Sequence, residues 1–384
     1  MNAAPILMGI MSGTSCDGVD VAVAEMGATP RLVHLSEQPM PDALREPLLR
    51  LCAPAMNELD IMGEIGQALG RAYAEAARRA AREAGLELAD ILAIGLHGQT
   101  IRHRPDARHP YTLQIGSAAQ VAERTGLTVV SDFRARDIAA GGCGAPLVPF
   151  AHRQLFAREG RNVAVLNVGG IANITWLGAD GETIGFDAGP GNMVMDGLML
   201  ALTDGRCRFD ANGELAARGQ ACPALVEALM ADPWLARRPP KSAGREQFGA
   251  PVVDRILGWP ELSDADRLAT ALAFTVCAVR DARRFLPGEP DAWLVCGGGA
   301  RNARLMQGLA EALAPAPVQA TDEAGVPSQA VEALAFAILA WHALLGAPNT
   351  LAAVTGAARD TCGGAITPGD NWPRVLETIR HWTR

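Results

Sequence analysis

Twice in this chain an apolar strand breaks at a glycine-containing turn and resumes as a second strand. The first instance is "ILMGIMSGTSCDGVDVAVAE", residues 6–25, and the second is "VAVLNVGGIANITWLG", residues 163–178. Alternation puts Val19, Val21 and Val23 on one face of the first returning strand, and Ile174 and Trp176 on one face of the second. Asp17-Gly18 supplies the backbone freedom of a tight turn. Matching hairpins about half a chain apart predict two related α/β lobes, and 384 residues suffice for two cores.

The remaining segments fill in that plan. "RLVHLSEQPM" reads as a third strand. Residues 57–85 carry apolar or small side chains at helical spacing, including Ile61, Ile65, Leu69, Ala72 and Ala76, with Gly85 as the stop. "ILAIGLHGQTI" and "LTVVSDFR" read as buried strands, and a short helix is expected from Ser117, with Gln120 at the capping-box position. "TIGFDAGPGNMVMDGLMLAL" and "DAWLVCGGGARNARLMQGLAEAL" each give a strand, a glycine turn and a helix. "VPSQAVEALAFAILAWHALLG" is an apolar helix expected in the core. The Gly/Pro-rich "AAGGCGAPLVPFAHRQLF" marks a crossing between lobes. The expected division is residues 1–135 with about 365–384 as the first lobe and 136–364 as the second.

Composition removes several functions. A net charge of −8 gives no general attraction to nucleic acid or anionic membrane. No apolar run approaches the roughly 18 residues of a membrane span, and the N-terminal residues lack a signal-like pattern, so a cytoplasmic protein is expected. The eight cysteines show neither a C-x-x-C pair nor zinc spacing, and read as reduced thiols. Lys241 is the only lysine, and its surroundings, "RRPPKSAGREQFG", fit neither a Walker A loop nor a protein-kinase strand. If the chain handles ATP, it does so by another device.

Three glycine-rich turns follow buried strands: Ser12 to Gly18, Asn167 to Asn173 and Gly297 to Asn302. Each can present backbone N–H groups to an anion. One such turn alone is more often structural; two on matching hairpins and a third before a helix favour phosphate binding. "GGGARN" is not a G-x-G-x-x-G fingerprint, so a dinucleotide fold is not supported.

The arrangement resembles the two-lobed superfamily of actin, Hsp70 chaperones and sugar kinases. More specifically, "GIMSGTSCDGVDVA", "LHGQT", "SDFR", "GGCGAPLVP", "LNVGGIANIT", "FDAGPGN", "PPKSAGREQFG" and "CGGGARN", in this order, are similar to the anhydro-N-acetylmuramic acid kinases over nearly the whole chain. The resemblance implies an α/β fold of two related lobes of the actin-like/RNase H-like sugar kinase type around a central cleft, and a homodimer; closure over ligands is expected because the chemistry requires control of bulk water. It implies hydrolytic opening of 1,6-anhydro-N-acetylmuramic acid and ATP-dependent phosphorylation to N-acetylmuramic acid 6-phosphate, in peptidoglycan recycling.

Site residues follow from the same resemblance. Asp187 matches the catalytic aspartate, the base that takes a proton from water attacking the anomeric carbon. Read alone, it is a turn-capping Asp. Thr100, Arg134 and Glu332 match sugar-binding positions. Arg134 suits a bidentate grip on the lactyl carboxylate, and Glu332, set in an apolar helix, needs a specific partner. His97 reads as a structural hydrogen-bonder. For ATP, Gly13, Thr14, Ser15, Cys16, Asp17, Gly18, Val19 and Asp20 form the first phosphate turn, Gly169, Gly170 and Asn173 the second, and Gly297, Gly298 and Gly299 lie against the nucleotide. Mg²⁺ is expected, because phosphoryl transfer rests on positioning and charge stabilisation. Its ligands are not assigned: Met11 stands where many superfamily members carry Asp, leaving Asp17, Asp20 and Asp187 as alternatives. Two other readings stand beside this one: a kinase of a free 6-hydroxyl amino sugar, and an actin- or chaperone-like ATPase.

Overall fold

A computed structural model describes residues 4–13, 16–52, 54 and 56–382. The chain forms two compact units, Met1–Leu155 with Ala330–Arg384, and Phe156–Gln329. Among the described residues no helix is long and apolar enough to cross a membrane.

The first unit opens with the predicted hairpin, β1 (Ile6–Met11) and β2 (Gly18–Met26), and continues into β3 (Pro30–Pro39). After helices Asp42–Leu51 and Glu58–Glu83 come β4 (Ile91–Leu96), the hairpin β5 (Gln99–Arg104) and β6 (Tyr111–Ile115), helix Ala118–Thr125 and β7 (Thr128–Ser131). The Ser117 hydroxyl accepts from the Gln120 N–H at 3.2 Å, capping the short helix where the sequence places it. The second unit holds β8 (Val163–Val168), β9 (Ile171–Leu177), β10 (Thr183–Pro190), β11 (Ala292–Cys296) and β12 (Val318–Ala320). The chain then returns to the first unit with helix Val331–Leu344 and β13 (Ala365–Thr367).

The sheets repeat one order. The first runs β3-β2-β1-β4-β7-β13 and the second β10-β9-β8-β11-β12. In each, a three-stranded antiparallel meander is followed by two parallel strands, and β13 adds an antiparallel edge to the first. Mixed α/β with two related sheets is therefore the fold, as the paired hairpins indicate. Val19, Val21 and Val23 lie together in the first core, and Ile174 in the second.

The units divide at Leu155/Phe156 and Gln329/Ala330, whereas the sequence reading divides at 135/136 and 364/365. The crossing stretch does contain the first boundary. The difference lies in residues 136–155 and 330–364, and helix Val331–Leu344 explains it. That helix packs on β1, β2 and β4, and reaches β1 and β4 through Gly9 and Gly95. A Cβ on Gly9 would collide with the carbonyl oxygen of Ala333, and one on Gly95 with that of Phe336. Glycine in mid-strand normally weakens a sheet; here it admits a helix backbone.

Candidate active site

Register alone gathers the second unit's polar residues. Asp187 of β10 pairs with Asn173 of β9, Asn173 with Asn167 of β8, and Asn167 with Cys296 of β11. One row across four strands thus runs from Asp187 to Cys296, which precedes Gly297, and passes below the Gly169-Gly170 turn that joins its two middle strands. It lies at the carboxyl ends of the parallel strands β8 and β11, where open α/β sheets present their ligand sites. The Gly169 carbonyl accepts from Asn192 N–H at 2.8 Å, and the Gly170 carbonyl from Gly191 N–H at 2.9 Å. Those turn carbonyls are consumed within the unit, which suits an anion-binding turn, since a carbonyl facing phosphate would repel it. Gly297 adopts a left-handed φ of 78°, and a Cβ there would meet Asn167 Oδ1. From it follow a turn through Gly298 and Gly299 and helix Ala303–Leu313, whose first turn Asn302 caps by accepting from Leu305 N–H at 3.0 Å.

Asp187 sits where β10 bulges, between Asp187 and Gly189. Residues 241–243 fasten it from one side. Its N–H donates to the Lys241 carbonyl at 3.1 Å, and its Oδ2 accepts from Ala243 N–H at 2.8 Å. Burial pushes the carboxyl up to about 7, against the Ala243 hydrogen bond and the Lys241 charge, which both pull it down. A carboxylate poised near neutrality is suited to proton removal.

The first unit repeats the geometry with other chemistry. Met11 pairs with Asp20, and Asp20 with Glu37, at the end of the first meander. The turn between β1 and β2 is long. The buried Ser12 hydroxyl shares a 2.6 Å hydrogen bond with the Tyr73 hydroxyl from helix Glu58–Glu83, and the Gly13 carbonyl accepts from Gln99 Nε2 at 3.1 Å. Burial raises the Tyr73 phenol well above its ordinary value, so it is neutral. Cys16, at a left-handed φ of 53°, and Val19 have their side chains in the core, so only their backbones could meet a ligand. Asp17 is exposed, and Gly18 and Asp20 are half-buried. Thr14 and Ser15 lie outside the described residues.

At the end of β4 and after β7 a cationic group is built in. The half-buried Arg134 donates through Nη2 and Nε to His97 Nε2 at 2.9 and 3.3 Å, and through Nη1 to the Gly144 carbonyl at 2.8 Å. Burial and the neighbouring guanidinium drive the His97 pKa well below its ordinary value. The imidazole is therefore neutral, an acceptor at Nε2 with its proton on Nδ1. His97 is the structural hydrogen-bonder that the sequence suggests. Burial lowers the Arg134 pKa to about 10, while Glu332 and Asp137 hold it up. Glu332 stands half-buried in the first turn of helix Val331–Leu344, and its charge acts on Arg134. Thr100 opens the β5–β6 hairpin, its hydroxyl accepting from Gln114 Nε2 at 3.1 Å; the Arg134 charge reaches His103 on the same hairpin.

Asp137 holds this group in place and escapes the sequence reading. Fully buried, it accepts from Gly144 N–H at 2.8 Å and from the Thr355 hydroxyl at 2.7 Å. It thereby fixes the loop whose Gly144 carbonyl receives Arg134. Tyr73 and the Lys241 seat are missed too, being long-range packing, though a lone lysine in a Gly/Pro-rich segment is a signal.

The family model described as anhydro-N-acetylmuramic acid kinase matches residues 5–369. The chain belongs to the anhydro-N-acetylmuramic acid kinase family. Its relatives of that name include one from Bordetella parapertussis, 45% identical over 368 residues, covering 94% of this chain and 96% of that one. Another, from Idiomarina loihiensis, is 41% identical over 360 residues, covering 93% and 97%. Among solved structures, a ROK family glucokinase from Streptomyces griseus in complex with glucose and AMPPNP superposes over 87% of this chain and 98% of its own, at 14% identity and a TM-score of 0.40. The sequence reading names the family correctly, on motifs that lie within the matched residues.

Proposed function

We propose that this protein couples hydrolysis of the 1,6-anhydro bond of 1,6-anhydro-N-acetylmuramic acid to phosphorylation from ATP, as the first kinase step in reusing a cell-wall amino sugar. The observation that carries the reading is the buried Asp187 carboxylate, held by Ala243 N–H and pushed up to about 7 by burial, in a row that passes the Gly169-Gly170 turn and reaches Cys296 beside Gly297.

Asp187 takes a proton from water as the water oxygen bonds to the anomeric carbon. The bond from that carbon to the bridging oxygen breaks, and this oxygen attacks the γ-phosphorus as ADP leaves. The products are N-acetylmuramic acid 6-phosphate, ADP and a proton. Arg134, its guanidinium oriented by His97 and Gly144, would grip the lactyl carboxylate, with Glu332 and Thr100 on the sugar. The Ser12 and Gly13 backbone, with Thr14 and Ser15, would receive ATP phosphates in the first turn, Gly169, Gly170 and Asn173 would do so in the second, and Gly297–Gly299 would lie against the nucleotide.

Among the described residues no cluster of three or more His, Cys, Asp or Glu side chains could hold a metal. Mg²⁺ bound chiefly through phosphate oxygens and water needs only a carboxylate or two, and Asp17, Asp20 and Asp187 offer them. It would supply charge neutralisation at the phosphates. A homodimer and a cytoplasmic location belong to the same proposal, checked by sedimentation and cell fractionation.

The test is product analysis by mass spectrometry with ATP, Mg²⁺ and the anhydro-sugar in ¹⁸O-water, quenched before the anomeric oxygen exchanges. One ¹⁸O per sugar phosphate from the wild type, with turnover lost in Asp187→Asn, is the expected outcome. Folded wild-type protein that turns over ATP without forming a sugar phosphate would overturn the reading.

A further inference from the structure

Lys241, the chain's only lysine, does not serve a phosphate turn. Only 8% of its surface is exposed. The Nζ donates to the Leu235 carbonyl at 3.0 Å and lies 4.5 Å from the centre of the Trp234 ring and 4.9 Å from that of Phe285. A carbonyl and two aromatic faces form a seat for a cation. The backbone of this residue and of Ala243 then brackets Asp187 through the two hydrogen bonds described above.

We infer that Lys241 is a positioning residue for Asp187: its seated ammonium anchors the 241–243 strap that aims the carboxylate, and its positive charge acts on that carboxylate. The inference rests on the reading of Asp187 as the base. Three other charges face the ammonium: Asp187 from β10, Asp281 from helix Asp264–Ala282 and Arg284 from the turn that follows. Burial and Arg284 pull the lysine down to about 8, while Asp281 and Asp187 hold it up. The influence of lysine and aspartate is mutual, each favouring the other's charged form.

Arginine is a poor substitute in such a seat. Its planar fork is wider than an ammonium and would shift the strap, though it keeps the charge. Methionine keeps most of the stem and loses the charge. The two variants therefore separate placement from electrostatics.

The experiment compares the pH dependence of kcat/KM for wild type, Lys241→Met and Lys241→Arg, with ATP, Mg²⁺ and the anhydro-sugar, on protein whose melting temperature is recorded. In Lys241→Met the acid limb should move to higher pH, so that kcat at pH 7 falls tenfold or more and partly recovers by pH 9, with KM for the sugar within about twofold. Lys241→Arg should restore the acid limb but not the full kcat. A folded Lys241→Met with the wild-type acid limb would sink the inference.

A second measurement stands if Lys241→Met does not fold. Biosynthetic ¹³C,¹⁵N-lysine gives a single side-chain signal in a protein without lysine tags, and its titration is followed in wild type and Asp187→Asn. The lysine pKa should drop in Asp187→Asn, and an unchanged titration would overturn the coupling. Should the wild type form no sugar phosphate, the functional reading fails; if it does, Asp187→Asn is inactive and Lys241→Met keeps the wild-type profile, only this inference fails.

Discussion

The two units share a strand order and differ in what they place at its end. In the first, β1 and β2 are joined by a long turn rich in hydroxyls, and the end of β4 meets a guanidinium bound to a neutral imidazole. In the second, β8 and β9 are joined by two glycines, and β10 bulges at a carboxylate bracketed by the backbone of Lys241 and Ala243. The sheets set positions; the connecting turns set chemistry. A buried arginine–imidazole pair and a buried carboxylate are thus held on the same frame.

The contrast is broken most severely at the base. Asp187→Asn should lower kcat by about 10³-fold, within the usual range for a general base. Because burial raises the Asp187 pKa, the folded state holds this proton more tightly than the unfolded chain, and stability is lost as pH rises from about 4 to about 7. Thermal melts at pH 8 should accordingly find Asp187→Asn more stable than wild type; a variant both inactive and less stable at pH 8 would deny the destabilising effect of burying this carboxylate.

Next in size is the helix contact that places Glu332. Gly9→Ala should cost about 3 kcal/mol, the upper end for overpacking, because the obstacle is helix backbone rather than a pliant side chain. Urea unfolding of Gly9→Ala within 1 kcal/mol of wild type would contradict the close approach of strand and helix.

On the anion grip, Arg134→Gln should raise KM for the anhydro-sugar about 10- to 100-fold, the worth of a charged hydrogen bond, with kcat changed less. Measured against the same sugar with its carboxyl reduced, the variant and wild type should converge. If the variant loses affinity for both sugars alike, Arg134 acts on the fold and not on a carboxylate.

The pH profile sharpens the comparison, since Asp187 of the second unit and Arg134 of the first are displaced into different pH ranges. The kcat/KM of the free enzyme should fall about tenfold per pH unit below about 7 as Asp187 protonates, whereas Arg134, near 10, stays charged throughout. The smallest effect belongs to the first turn. Tyr73→Phe removes the buried partner of Ser12 and should cost about 1 kcal/mol, with a few-fold rise in KM for ATP. No change in KM for ATP would detach Ser12 from the nucleotide.

Local pattern made much of this legible. Alternation in residues 19–23 and 171–177 and the apolar runs ending in glycine announce both hairpins, and Ser117 marks a helix start that the structure confirms. What escapes is contact between distant residues. Asp137 and Thr355 carry no local sign of their bond across 218 positions, and helix Val331–Leu344 is apolar on nearly every face, so its pattern cannot say which sheet it covers. That is why the lobe boundary inferred from Gly and Pro residues differs from the compact units. Arg134 and Glu332 are candidates through motif resemblance; their electrostatic pairing emerges only when that helix lies on β1 and β4.

The return of the chain to its first unit also orders events on the ribosome. Phe156–Gln329 is contiguous and can complete its core as soon as it emerges. The earlier-made β1 and β4 must wait, their glycine face uncovered, until helix Val331–Leu344 has been synthesised. The later-made unit therefore finishes first, and the unit carrying Arg134 is vulnerable for longer. Nascent chains arrested just beyond Gln329 should resist protease over residues 156–329 while remaining cleavable before residue 155. During synthesis the N-terminal segment thus stays open to proteases and chaperones until helix Val331–Leu344 covers its glycine face.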